Sequence, residues 1–157
     1  FKNIYIQEIF GFFAPARPDV ALRMSKLPIQ TTARFNAEWL SEFYVTMYSL
    51  ASSVDKELPI KERTVWMAGQ ARKRLPNDSY AAKMYDFVKE KYVLNIPWEQ
   101  TRDSVYYRYQ VNQQDGYDIT ARNLNCNGCF AAGINFASSL VSLFYGEGDL
   151  KETIKTF

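Results

Sequence analysis

Phe35, Trp39, Leu40, Phe43, Tyr44, Met47, Leu50 and Ala51 recur every three or four residues, which places them on one face of a single helix. This run constrains the chain more than any other feature, because so apolar a face must be covered by further helices. The spacing predicts a helix from Thr32 to Ser53. Upstream, Lys2 to Phe13 reads as a short helix or an extended lead-in, and Ala14 to Pro18 as a stiff turn. Pro18-Asp19 opens a helix expected to run to about Leu27, where Pro28 should stop it. Downstream, a helix follows Pro59 and reaches Leu75 before Pro76, with Arg72, Lys73 and Arg74 at its C-terminal end.

The second half repeats the pattern. Asn77, Asp78 or Ser79 is placed to cap a helix with Tyr80, Met84, Phe87 and Val88 on its inner side. Pro97 opens another, in which Trp98, Val105, Tyr106 and Tyr109 are expected to face inward. Asn112 to Asn125, with Asp115-Gly116 as a turn signal, is the longest expected loop. Phe130, Ile134, Ala137, Val141 and Phe144 predict a buried helix, closed by Gly146-Glu147-Gly148. Asp149 caps a last one. No segment alternates like a strand. The expectation is an all-α chain, one helical domain over residues 1–157 with six or seven helices.

Composition narrows the chemistry. With 47% apolar residues the chain can bury a core, which excludes intrinsic disorder. Nineteen basic against seventeen acidic residues leave a net charge of +2, too small to argue for nucleic acid or an anionic membrane. The uncharged stretch from Asn123 to Tyr145 is too polar for a membrane span. Histidine is absent, which removes a Ser-His-Asp triad, a His general base and any His-ligated metal. Compartment is left open by two cysteines and one Asn77-Asp78-Ser79 glycosylation pattern.

Individual motifs are weak. Cys126-Asn127-Gly128-Cys129 is a C-x-x-C, but a dithiol redox reading needs a preceding strand, and a metal reading needs two more ligands. Asp115-Gly116-Tyr117-Asp118 lacks the further oxygen ligands of a calcium loop and reads as a turn. Tyr106-Tyr107-Arg108-Tyr109 interleaves aromatics with a cation, yet core packing explains it better than base stacking. Asn36, beside Arg34 at the start of the aromatic helix, and Asn135, inside the helix expected to be buried, are more informative. A buried amide needs hydrogen bonds, from a neighbouring helix or from a ligand.

Several runs, in order, carry a resemblance. They are Glu8-Ile9-Phe10-Gly11-Phe12-Phe13-Ala14-Pro15-Ala16-Arg17-Pro18-Asp19, Thr31-Thr32-Ala33-Arg34-Phe35-Asn36-Ala37-Glu38 and Glu42-Phe43-Tyr44-Val45-Thr46-Met47-Tyr48. Ala132-Gly133-Ile134-Asn135 and Leu143-Phe144-Tyr145-Gly146-Glu147-Gly148-Asp149-Leu150 complete them. Together, from about Glu8 to Ile154, the chain resembles the ADP-ribosylglycohydrolase family, in its microbial and fungal branch. The resemblance implies an all-α fold and hydrolysis of an ADP-ribosyl bond assisted by two magnesium ions. It implies Asn36 and Asn135 as substrate-pocket residues, with Arg34 as a diphosphate partner. The acidic motifs that ligate magnesium in that family are not in this sequence. The chain is therefore expected to be a central segment of a longer protein, carrying no catalytic or metal-ligating residue of its own and inactive alone. A second chain is one possible source of the missing segments. Where other members often carry a His, Thr31 and Thr32 stand here. The alternative is a non-catalytic helical subunit or interaction module that kept the fold without the metal site.

Overall fold

A computed structural model describes residues 9–33, 36–118 and 132–156. Among these the chain is helical with no strand, as the periodicity requires. It divides into two compact units, residues 1–76 and 77–157.

The first unit holds α1 (Ile9–Phe13), α2 (Pro18–Thr32), α3 (Asn36–Leu50) and α4 (Ile60–Arg72). Packing centres on α3, which touches the other three. It therefore buries more than one stripe. Leu40 and Phe43 are covered on one side, while Val45 joins Ala14, Ala21, Ile29 and Ala33 in a cluster on another. Ala51, expected on the inner face, lies beyond the end of α3 and is exposed. The α2 face that meets this cluster is Ala21, Ser25 and Ile29, mostly small and spaced four apart, which lets the two helix backbones approach. The α1–α2 turn is pinned to α3. The Ser49 hydroxyl donates to the Ala14 carbonyl at 2.5 Å, and the Ala16 N–H donates to the Ser49 carbonyl at 2.7 Å.

Pro28 does not stop α2, contrary to expectation; the helix continues to Thr32. A proline inside a helix removes one N–H and crowds the carbonyl four residues back. That carbonyl belongs to Met24, on the exposed side of α2 where water can serve it. The Thr31 and Thr32 hydroxyls both donate to the Pro28 carbonyl, at 2.9 and 2.8 Å, and brace the turn that follows.

The second unit holds α5 (Tyr80–Val93), α6 (Trp98–Val105), a π-helical stretch (Tyr106–Val111), α7 (Ala132–Tyr145) and α8 (Leu150–Lys155). Of the three expected caps for α5, Ser79 fills the role: its hydroxyl accepts the Ala82 N–H at 3.1 Å. Asp149 caps α8 by accepting the Glu152 N–H at 2.9 Å. Packing centres on α7, which touches α5, α6, the π stretch and α8. Its Phe136, Leu140, Val141 and Phe144 are buried, and Phe144 meets the Tyr85 ring edge-on at 5.6 Å. The Tyr145 hydroxyl donates to the Ile96 carbonyl at 2.8 Å and lies 2.8 Å from the Thr101 hydroxyl, fixing α6 to α7.

One expectation fails here. Tyr109 is fully buried, but Tyr106 is 52% exposed. In an α-helix residues three apart share a face. The π stretch bonds i to i+5, which widens the turn and swings Tyr106 away from Tyr109.

Candidate functional site

The link at Ala33 joins two helices that enclose a cleft of about 280 Å³ in the first unit. Leu22 and Ile29 give its lining an apolar part, Ile29 being buried. Arg23, Lys26 and Gln30 come from α2, and Glu38 and Glu42 from α3. Helical spacing explains the grouping. Arg23 and Lys26 lie three apart and Glu38 and Glu42 four apart, so each pair shares a face. Glu42 is half-buried, and that burial raises its carboxyl above the usual range; Glu38 pushes the same way and Arg74 opposes it.

Asn36 is the first residue of the helix that carries both glutamates. Its Oδ1 is buried and has no hydrogen-bond partner among the described residues. An acceptor left this way costs about 1–3 kcal/mol unless something donates to it. Arg34 lies outside the described residues.

Asn135 belongs to the second unit, in the first turn of α7. Its side chain is exposed rather than buried, because α7 turns Phe136, Ala137, Leu140 and Val141 toward its neighbours and leaves position 135 on the opposite face. Beside it, the Ile134 N–H donates to the Tyr117 hydroxyl at 3.2 Å. At Gly133 any Cβ would fall 2.5 Å from the Tyr117 ring and 2.9 Å from the Tyr80 ring. The absence of a side chain there is what lets the two rings reach α7.

The other motifs resolve into packing. Asp115 holds Arg108 at 2.9 Å, and the same guanidinium lies 4.8 Å from the Phe87 ring centre. Arg108 keeps the Asp115 carboxyl below its usual range. Burial, with Asp115 nearby, pushes the Tyr109 hydroxyl well up. The turn is thus tied to the π stretch. Arg72 donates to the Leu75 carbonyl at 3.1 Å and Lys73 to the Gln70 side chain at 2.7 Å, closing the end of α4. Cys126 and Cys129 lie outside the described residues.

No protein-family model matches the chain, and no curated protein or solved structure matches it either.

Among the described residues no three His, Cys, Asp or Glu side chains stand close enough to hold a metal ion. Those side chains on their own do not make up the ligand set of a magnesium pair. No helix among them is long and apolar enough to cross a membrane. Sequence reading found Asn36 but passed over the charged pairs of the cleft. The four-residue spacing of Glu38 and Glu42 was the available signal; that Arg23 and Lys26 share their cleft depends on how α2 lies against α3.

Proposed function

We propose that this chain is the substrate-side helical segment of an ADP-ribosylglycohydrolase-like hydrolase. The reading rests on the ordered runs between Glu8 and Leu150 and is compatible with the all-α character of the described residues. The observation that carries it is the buried, unpartnered Asn36 Oδ1 at the head of α3, within one of those runs. An acceptor in that state suits a sugar hydroxyl or a base N–H. Asn135, exposed on α7, is free to meet a ligand or a second chain. Magnesium ligands would come from segments outside this sequence or from another chain, so the reading assigns this segment binding and positioning rather than bond cleavage. The test is calorimetric titration of the chain with ADP-ribose. Binding that Asn36→Ala weakens about tenfold supports the reading. Absence of binding, or binding indifferent to Asn36, overturns it.

A non-catalytic interaction module is the second reading. It is favoured by Leu150 and Ile154, which lie four apart on α8 and are 75% and 68% exposed. Concentration-dependent sedimentation that Leu150→Ser abolishes would favour it.

A further inference from the structure

The α2–α3 cleft separates charge by helix. Its α2 side carries Arg23 and Lys26, and its α3 side carries Glu38 and Glu42. None of these four side chains makes a hydrogen bond or an ion pair within 4 Å among the described residues. Opposite charges thus share one hollow without closing on each other. Glu42 is half-buried, and the attraction of Arg74, which makes no ion pair with it within 4 Å, does not outweigh that burial, so a cationic group placed against the carboxylate would favour its charged form.

We propose that this cleft binds a small zwitterion, with its ammonium between Glu38 and Glu42 and its carboxylate between Arg23 and Lys26. The lining presents two cationic and two anionic side chains, one pair for each end of a zwitterion, and Arg74, outside the lining, acts on Glu42 as well. Leu22 and Ile29 provide apolar surface for the methylenes between the two charged ends. A volume of about 280 Å³ lies at the small end of the ligand-pocket range, the size of an amino acid rather than a nucleotide. A bare metal ion fits less well, because only two carboxylates line the cleft and two cations share it. A bare anion meets the two glutamates. The proposal is independent of the ADP-ribosyl reading, which rests on Asn36.

The experiment uses amino acids as rulers. Glycine, β-alanine, γ-aminobutyrate and ε-aminohexanoate are titrated into the whole chain and followed by heteronuclear NMR, with butylamine and butyrate as single-charge probes. One chain length is expected to bind best, at least about tenfold tighter than either single-charge probe, with shifts confined to α2 and α3. Glu42→Gln and Arg23→Gln should each weaken that binding about tenfold. Glu42→Gln removes a carboxylate that burial disfavours, so it should fold, and an unchanged circular dichroism spectrum verifies this. The proposal is overturned if no ruler binds, if butylamine or butyrate binds as well as the best ruler, or if either folded variant binds like the parent.

Discussion

Replacing Gly11 by Ala sets two opposing effects against each other. Gly11 is in α1, where alanine is the better helix former by about 1 kcal/mol. Against that, a Cβ at position 11 would lie 2.6 Å from the Val45 carbonyl oxygen, 2.6 Å from the Tyr48 Cβ and 2.9 Å from the Ser49 nitrogen. Carbon contacts settle at about 3.5–4.0 Å, so α1 must retreat by roughly 1 Å. The obstructing atoms are α3 backbone or the root of a side chain, and none can rotate aside. The cost therefore falls near the top of the overpacking range, about 3 kcal/mol. The net loss is about 2 kcal/mol, which lowers the melting temperature by about 4–8 °C for a chain of this length. Retreat of α1 also loosens the Phe12–Tyr48 ring contact, now 4.6 Å between centroids, and the Ala16 to Ser49 backbone bond. Thermal unfolding followed by circular dichroism reads the first effect, and amide exchange at Ala16 reads the second. An unchanged or higher melting temperature would mean that helix propensity wins and that α1 does not press on α3 as described.

Other perturbations separate further forces. Ser49→Ala removes the buried hydroxyl that holds the Ala14 carbonyl and should cost about 1–3 kcal/mol in urea unfolding; a loss under about 0.5 kcal/mol would show that this tether is idle. Glu42→Gln should raise the melting temperature at neutral pH and leave it unchanged in acid. The folded-state pKa of Glu42 is raised, so its ionisation weakens the fold as pH climbs from the unfolded value through the folded one. Asp115→Asn should cost about 1 kcal/mol at pH 7 by breaking the partly buried pair with Arg108. The Asp115 pKa is lowered, so this contribution exists above the unfolded carboxyl value and fades in acid, where variant and parent melts should converge. Tyr92, whose hydroxyl donates to Glu147 at 2.8 Å, has its pKa pushed up to about 12 by burial first and that carboxylate second. Its contribution is complete below the ordinary tyrosine value of 10.0 and is lost as pH rises toward 12; Tyr92→Phe should flatten that part of the alkaline stability profile.

Helices were legible where short-range pattern decides them. The burial of Leu40 and Phe43 on α3, the Ser79 and Asp149 caps and the burial of Val141 and Phe144 follow from spacing and side-chain chemistry alone, whereas the burial of Val45, Thr46 and Ser49 on α3 does not. Failures came where tertiary setting overrides local preference. Pro28 sits inside α2 because the carbonyl it displaces is on the exposed side. Tyr106 is exposed because a change of helical pitch cannot be read from residue types. Asn135 was expected to be buried because its helix is apolar on most sides, yet one side remains open. At the candidate site the sequence showed Asn36 at a helix start. The meeting of Arg23 and Lys26 with Glu38 and Glu42 depends on the relative rotation of two helices, which no single helix pattern encodes.

The stretch Tyr106–Val111 has a consequence for how this chain tolerates changes in length. A wide turn in a continuous helix behaves like a spare residue taken up without unwinding. Deleting one residue there can let the segment relax to ordinary pitch, with α6 ahead of it held in the core by Val105. The same deletion inside α5 or α7 would rotate every downstream core side chain by about 100° and empty the core they fill. Length variation among homologous chains should therefore gather in this one turn and spare the two helices it packs between.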